Sequence, residues 1–346
     1  MRILIATDAW HPQINGVVRT LENVTRWLNE NGHMVSLMTG DGCRSMPMPF
    51  YPEIRLAHVS QARFAGRIET FKPHAIHIAT EGPVGIAARK WCVRNRFPFT
   101  TSYHTQFPQY LSMRIPIPGI SALSYRFLRW FHRPSQAVLT PTQSITDELA
   151  GHGFENLVTW TRGVDRGAFP GRIEGVPRRG PSPVMISTGR IAVEKRLEDF
   201  LRLDVPGTKV VIGDGPARKK LEAAYPDAIF TGYLNGEDLA REMSAGDVFV
   251  FPSRSDTFGL VILEAMACGL PVAAYPVAGP IDVVDHGVSG WLDEDLGIAV
   301  RKALELDSAG PLAQAERYTW AVCADQFLHS LVPAEALEPP VPQIAE

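Results

Sequence analysis

The 346-residue chain is predicted to be α/β, with two doubly wound, Rossmann-like domains facing a cleft. Three observations predict this. Short apolar runs alternate with amphipathic helical stretches, the pattern of parallel sheets covered by helices. The alternation restarts after residues 163–184, a stretch with five glycines and four prolines in its first 21 positions. The chain is also longer than one ordinary core and fits two domains of roughly 150–200 residues each.

Residues 2–7 read as a buried strand. Val17, Leu21, Val24 and Leu28 are spaced for one face of a helix over 17–31, which Gly32-His33 ends. A second strand follows at 35–39, then strands at 75–79, 99–102 and 137–140 with helices near 83–95, 121–131 and 143–150. Beyond the Gly/Pro-rich segment, strands are expected at 184–188, 209–213, 229–231, 248–251 and 272–275, with helices between them. The division is a first domain over 1–165, a linker over 166–183 and a second domain over 184–311. A helix is expected over 312–331, and the tail after Leu331 is rich in Pro, Ala and Glu.

Composition narrows the class. Apolar residues make up 45% and charged residues 21%, ordinary for a water-soluble globular protein. Cys43, Cys92, Cys268 and Cys323 are scattered without a CxxC pair. They predict structural thiols in a reducing cytoplasm rather than a disulfide or metal framework. Neither a secretory leader nor an apolar run of about 18 residues is visible. The net charge of −3 is uneven: residues 1–165 carry 17 basic against 11 acidic side chains, and the remainder 17 against 26. A basic first half suits an anionic partner, and nothing in the pattern suggests nucleic acid.

The most informative stretch runs from Ser255 to Pro271. A strand, 248–251, delivers Asp256, then the turn residue Gly259, then a helix carrying Glu264 that Gly269 and Pro271 stop. A strand feeding a helix N-terminus is an anion site, because the first amides lack intrahelical partners. Carboxylates beside such a site call for a second kind of group, and sugar hydroxyls supply it, since a carboxylate only accepts hydrogen bonds. The implied ligand carries phosphate and sugar together: a nucleotide sugar.

Arg190 and Lys195 lie at the carboxyl end of strand 184–188, five residues apart. They are positioned to neutralise a departing diphosphate. Gly16, between the first strand and helix, permits close backbone approach to a ligand. Neither it nor Gly213-Asp-Gly-Pro216 completes a GxGxxG fingerprint, which weakens an oxidoreductase reading. His104 closes strand 99–102, where a doubly wound domain faces its ligand. His74 and His77 have no carboxylate near them in sequence, and no metal site is expected, so the chemistry is predicted to need neither metal nor cofactor. In 124–133, Arg126, Arg129 and Arg133 alternate with aromatics including Trp130, downstream of an apolar loop at 115–120. Such a helix suits a membrane interface or, equally, packs on the sheet with its arginines in water.

Taken together, Thr7-Asp8, Pro12, Asn15-Gly16-Val17, Ser102-Tyr-His-Thr105, Arg162-Gly-Val-Asp165, Phe169, Gly189-Arg190, Glu194-Lys195, Gly213-Asp-Gly-Pro216 and the 256–264 segment resemble the large retaining family 4 (group 1) glycosyltransferases of GT-B fold. That family includes bacterial mannosyltransferases and the sulfoquinovosyl and glucosyl lipid synthases. The resemblance implies that the Gly16 backbone approaches the donor phosphate and that Arg190 and Lys195 bind the diphosphate. It further implies that His104 lies beside the donor sugar. Asp256 and the amides of Phe258, Gly259 and Leu260 would hold sugar hydroxyls and phosphate, and Glu264 the ribose. The helix over 312–331 would cross back onto the first domain, while on the residue pattern above Arg126, Arg129, Trp130 and Arg133 would meet membrane or acceptor. One departure stands out: the family's glutamate-x7-glutamate pair is Asp256-x7-Glu264 here.

The expectation is therefore a retaining hexosyl- or uronosyltransferase, moving sugar from a UDP- or GDP-linked donor to a lipid or lipid-linked acceptor such as diacylglycerol. It would be cytoplasmic and peripheral on the inner face of the cytoplasmic membrane. A mannosyl- or glucosyltransferase with a soluble or polysaccharide acceptor shares every donor motif. A nucleotide-sugar epimerase or a non-catalytic nucleotide-sugar binder are the alternatives of another class.

Overall fold

The computed structural model describes residues 1–48, 51–114 and 117–334. Along the first lobe run β1 (Arg2–Ala6), α1 (Gly16–Glu30), β2 (Met34–Met38), β3 (Ser45–Met48), β4 (Tyr51–Ala57), α2 (Gln61–Phe71), β5 (Ala75–Ile78), α3 (Pro83–Asn95) and β6 (Phe99–Ser102). After these come α4 (Phe107–Arg114), α5 (Ile120–His132), β7 (Val138–Thr140), α6 (Gln143–Gly151) and β8 (Leu157–Thr159). The second lobe has β9 (Val184–Thr188), a 3-10 turn at Val193–Lys195, α7 (Leu197–Leu201), β10 (Thr208–Ile212), α8 (Arg218–Ala224), β11 (Ile229–Gly232) and α9 (Gly236–Ser244). It continues through β12 (Val248–Phe251), α10 (Leu260–Ala267), β13 (Val272–Ala274), α11 (Pro280–Val283), β14 (Gly290–Leu292), α12 (Leu296–Ala303) and α13 (Ala309–Glu316). The last described helix is α14 (Trp320–Ser330).

Each lobe holds one six-stranded parallel sheet. The orders are β2-β1-β5-β6-β7-β8 and β11-β10-β9-β12-β13-β14. In the second sheet strand order reverses between β9 and β12, and ligands of such sheets bind beyond the strand carboxyl ends at that reversal. Arg190 follows β9 and Asp256 follows β12, so the topology itself brings these two segments side by side.

Sequence pattern explains how the strands are covered. In α1, Val18, Leu21, Val24 and Leu28 are buried, about 1.5–3 kcal/mol for each large apolar side chain. The Asn15 side chain starts the helix by accepting the amides of Val17 and Val18, both at 3.0 Å. This face packs with Cys323 and Phe327 of α14 against one side of the first sheet. Phe64, Val84, Ala88 and Cys92 cover the other. The second sheet is likewise flanked by two apolar layers, one with Leu263 and Met266 of α10 and one with Phe200 and Val300.

Differences from expectation are local. The segment read as one helix over 312–331 is two helices broken at Tyr318-Thr319. α13 stays on the second lobe, with Ala315 in its core, and only α14 returns to the first lobe. Thr319 forces the break by capping α14 through the Val322 amide. The linker segment is not free of the cores either: Phe169 is buried against the second lobe and Ile173 packs on it. The antiparallel pair β3/β4, helices α2 and α4, and edge strands β8 and β14 were not foreseen. Of the apolar loop at 115–120, residues 115 and 116 lie outside the described residues, and Ile120 begins α5. No helix among the described residues is long and apolar enough to cross a membrane.

Candidate active site

From the second lobe, the turn after β9 carries Arg190 and then Lys195, which sits in the 3-10 turn. The turn after β10 supports it. Gly213 has φ of 137°, and a Cβ there would stand 2.0 Å from the Gly189 carbonyl oxygen. Only glycine lets the two backbones meet. Lys195 Nζ reaches the Asp256 carboxylate at 2.5 Å and 2.7 Å. Both side chains are partly buried, so the pair ties together the two loops on either side of the strand reversal.

Helix α10 begins at Leu260 behind Gly259, whose φ of 83° is left-handed, and no side chain caps it. A Cβ on Gly259 would meet Ile262 Cδ1 at 2.8 Å. The start of this helix presents amides rather than a capping hydroxyl, as a phosphate site requires. The Phe258 ring turns inward against Tyr318, with centroids 6.0 Å apart, so this residue can offer the site its backbone but not its side chain. Glu264, one turn on, is buried. Burial raises its pKa from the usual value, and the Arg19 guanidinium acts against that rise.

From the first lobe come Gly16, Arg19 and His104. A Cβ on Gly16 would stand 3.4 Å from Leu260 Cδ1, which puts the start of α1 directly opposite the start of α10. Arg19 crosses the gap to form an ion pair with Glu264 Oε1. His104 follows β6, its ring edge-on to Trp160 at 5.7 Å. Its Nδ1 lies 3.2 Å from the Arg162 guanidinium. Arg162 has hydrogens only to donate, so Nδ1 accepts and the ring proton is assigned to Nε2. Nε2 is buried without a hydrogen-bond partner among the described residues. Burial first, then the Arg162 and His77 charges, hold the His104 pKa well below its usual value. The imidazole is neutral at physiological pH, a donor through Nε2–H.

Further contacts close the gap. Thr257 Oγ1 donates to the His104 carbonyl at 2.9 Å, and Thr142 Oγ1 donates to the Thr257 carbonyl at 3.3 Å. The Ser144 amide donates to Asp282 Oδ1 at 2.9 Å, and its hydroxyl to Asp282 Oδ2. An interlobe pocket of about 130 Å³ is lined in part by Arg19, Asn23, Arg26, Asp165, Gly236 and Glu264.

The sequence-predicted residues thus divide. Gly16, His104, Lys195, Asp256, Gly259, Leu260 and Glu264 stand at facing loop and helix ends of the two lobes, and Arg190 follows its strand end there. Arg126, Arg129 and Trp130 lie elsewhere, exposed on α5, and Arg133 is exposed just past its end. There Tyr125, Leu128 and Phe131 face the core, while Leu123, Phe127 and Trp130 face outward. Arg129 donates to the His152 carbonyl at 2.7 Å, and the Arg89 guanidinium lies 3.9 Å over the Trp130 ring. Sequence reasoning missed Arg19, Ser144 and Asp282, and it quoted Arg162 and Thr257 only inside motifs, without a role. For Arg19 a signal existed, because Arg19, Asn23 and Arg26 share one polar helix face. Asp8, quoted in the first motif, proves to be architectural. Its buried carboxylate accepts Thr80 Oγ1 and the Val84 amide at 2.8 Å and 2.9 Å, fastening β1 to α3.

Comparison with known proteins adds to this geometry. Residues 14–167 match the family model described as Glycosyltransferase Family 4, and residues 182–306 that described as Glycosyl transferases group 1. The chain is 31% identical to the sulfoquinovosyl transferase of Arabidopsis thaliana, over 89% of this chain and 68% of the relative. It is 30% identical to a GDP-mannose-dependent alpha-mannosyltransferase of Mycolicibacterium smegmatis, over 95% and 96%. Identity is 24% to an alpha-monoglucosyldiacylglycerol synthase of Streptococcus pneumoniae, over 88% and 78%. Among solved structures, a sucrose-phosphate synthase from Thermosynechococcus elongatus superposes with a TM-score of 0.76 at 18% identity, covering 95% of this chain and 97% of that one.

Proposed function

The chain belongs to the family 4, group 1 glycosyltransferases, and from that premise we propose that it moves a hexosyl or uronosyl unit from a nucleotide sugar to a lipid acceptor with retention of configuration. The observation that carries the donor half is the meeting of two carboxylates and a lysine from one lobe with His104 and Arg19 from the other. Lys195 and Asp256 are in contact, Glu264 is ion-paired to Arg19, and Thr257 bonds the His104 carbonyl.

In this reading the diphosphate lies at the start of α10, with Arg190 and Lys195 beside it. Asp256 accepts from sugar hydroxyls, Glu264 from the ribose, and His104 Nε2–H donates to a sugar oxygen. The acceptor hydroxyl attacks the anomeric carbon on the face from which the nucleoside diphosphate departs. A new carbon–oxygen bond forms as the bond to phosphate breaks, and the electron pair leaves with the diphosphate. The hydroxyl proton passes to a phosphate oxygen of the leaving group. Charge grows on the diphosphate during the step, so cations fixed there lower the barrier more than they strengthen ground-state binding. Water is kept out by the interlobe contacts, and this chemistry asks for no metal.

The lipid half rests on α5. Leu123, Phe127 and Trp130 are exposed at 55%, 40% and 45%, interleaved with Arg126, Arg129 and Arg133 on the outward side. An apolar stripe flanked by cations suits the boundary of an anionic bilayer. The diacylglycerol product class in the name of the Streptococcus relative supports the same acceptor. The protein would act peripherally on the cytoplasmic face of the membrane.

The test is incubation of the purified chain with a panel of UDP- and GDP-sugars, against membrane lipid extract and against water-soluble acceptors, with products read by mass. A glycolipid retaining the donor's anomeric configuration is expected. Donor conversion without any acceptor would indicate an epimerase, and binding without turnover a sensor. Product in the aqueous arm alone would replace the lipid acceptor with a soluble one.

A further inference from the structure

Glu264 presents its two carboxylate oxygens to different surroundings. Oε1 takes the Arg19 guanidinium from the opposite lobe. Oε2 is buried and accepts no hydrogen bond from the described residues. A buried carboxylate oxygen left unpaired is costly, and the side chain lines the interlobe pocket. What satisfies such an oxygen is a donor brought by a ligand, and vicinal hydroxyls on a ribose are donors of that geometry.

We propose that Arg19 is a positioning residue of the donor site: reaching over from the first lobe, it fixes the Glu264 carboxylate by one oxygen so that the other grips the ribose diol of a nucleoside diphosphate. The inference deepens the donor-site reading above and rests on it. Arg19 is itself braced. Asn23 Nδ2 donates to the Arg19 carbonyl at 2.8 Å, and the Arg26 guanidinium donates to Asn23 Oδ1. The three residues form one ledge of α1 along the pocket. Because α1 and α10 belong to different lobes, the ribose subsite is complete only when the lobes meet. Affinity for the nucleotide is then coupled to contact between the lobes.

Charge supports the geometry. Burial favours the protonated form of Glu264, and the Arg19 cation favours the carboxylate. Of the other charged groups nearby, Arg26 and Asp165 line the same pocket without an ion pair to Glu264 among the described residues. Arg166 is engaged with the Ala267 carbonyl at 2.9 Å. The Cys268 thiol, one turn along α10, is pushed up to about 12 and is uncharged at neutral pH. Arg19 is thus the cation in direct contact. A protonated Glu264 loses acceptor capacity toward hydroxyls, so removing Arg19 should weaken nucleotide binding, and more so at lower pH.

The experiment is calorimetric titration of the full chain with UDP and GDP from pH 5.5 to 8.5, for the wild type, R19K, R19Q, E264Q and R19Q/E264Q. Arg19 is 40% exposed, so its variants are expected to fold, which thermal melts verify. R19Q should weaken binding of the preferred nucleotide about 10- to 100-fold. Its affinity should begin to fall at a higher pH than in the wild type, and R19K should restore most of both. The double variant should be no weaker than E264Q alone. R19Q matching the wild type in affinity and pH profile, or a double variant weakened additively, would overturn the inference while leaving the donor site intact. Wild type that binds neither nucleotide would overturn the donor-site reading and this inference with it.

Discussion

Lys195 and Asp256 form a two-point contact across the strand reversal of the second lobe, at 2.5 Å and 2.7 Å. Asp256 presents both carboxylate oxygens to the one Lys195 ammonium, and both side chains are partly buried. If Lys195 stabilises the departing diphosphate, K195A should lower kcat by about 100- to 1,000-fold with a much smaller change in KM. Steady-state kinetics on the donor that turns over decide this. A K195A variant with normal kcat and raised KM would make the lysine a ground-state binder.

His104 is expected to work as a neutral donor. Its pKa is held well below the usual value, so the kcat/KM profile from pH 5.5 to 8.5 should show no inflection that disappears in H104Q. Nitrogen NMR of the labelled imidazole should show the proton on Nε2, with Nδ1 accepting from Arg162. A proton found on Nδ1 would refute the assignment. H104A should reduce turnover yet leave nucleoside diphosphate affinity within about twofold of wild type, a change of under 0.5 kcal/mol.

Ser144 and Asp282 bridge the lobes, the Ser144 amide donating to Asp282 Oδ1 at 2.9 Å. Hydrogen bonds to a charged group are worth about 1.5–3 kcal/mol. D282A should therefore shift the lobes toward an open arrangement, seen as a larger radius of gyration by X-ray scattering. It should also raise donor KM about tenfold or more, since closure must be driven by the ligand. Unchanged scattering and KM would mean that the other interlobe contacts suffice.

For the membrane, neutralising Arg126, Arg129 and Arg133 together should abolish flotation with anionic liposomes while sparing activity on detergent-solubilised acceptor. Replacing Phe127 and Trp130 by serine should reduce binding to neutral and anionic vesicles alike. Flotation that survives both sets of changes would remove α5 as the contact.

His77 gives a stability prediction. It is fully buried, hydrogen-bonded to Thr100 and Ser102 at 2.8 Å each, and burial lowers its pKa to about 3. The unfolded chain takes up this proton near pH 6.5 and the folded chain does not. The contribution is intact above pH 6.5 and drains away as pH falls toward 3. Between pH 7 and pH 5 the loss is about 2 kcal/mol. Urea unfolding at both pH values should show that loss in the wild type, and a correspondingly smaller one in H77Q.

Much of the site was legible because its chemistry is local in sequence. Gly259, followed at once by a helix, and Glu264, one turn into it, can be read as an anion-and-hydroxyl site without knowing what lies opposite. Strand 248–251, Val-Phe-Val-Phe, is legible to the residue, since a continuous apolar run bounded by Asp247 and Pro252 leaves little choice. Edge strands β8 and β14 were not legible: each is three residues long, and their pairing comes from a neighbour rather than from pattern. Helix α2 was hidden by a mixed composition with Gly66 in its middle, so its existence depends on Phe64 finding the sheet.

By itself the sequence determined two parallel sheets, the strand ends that carry Arg190 and Asp256, and the spacing of Asp256 from Glu264. These follow from periodicity and turn chemistry, which act over a few residues. Tertiary structure alone decided that α13 and α14 part company, that Arg162 fixes the proton on His104, and that Arg19 crosses from one lobe to Glu264 in the other. The last two depend on contacts between residues 58 and 245 positions apart. At such separations chain pattern carries no register, and only the packing of whole lobes brings a partner within a hydrogen bond.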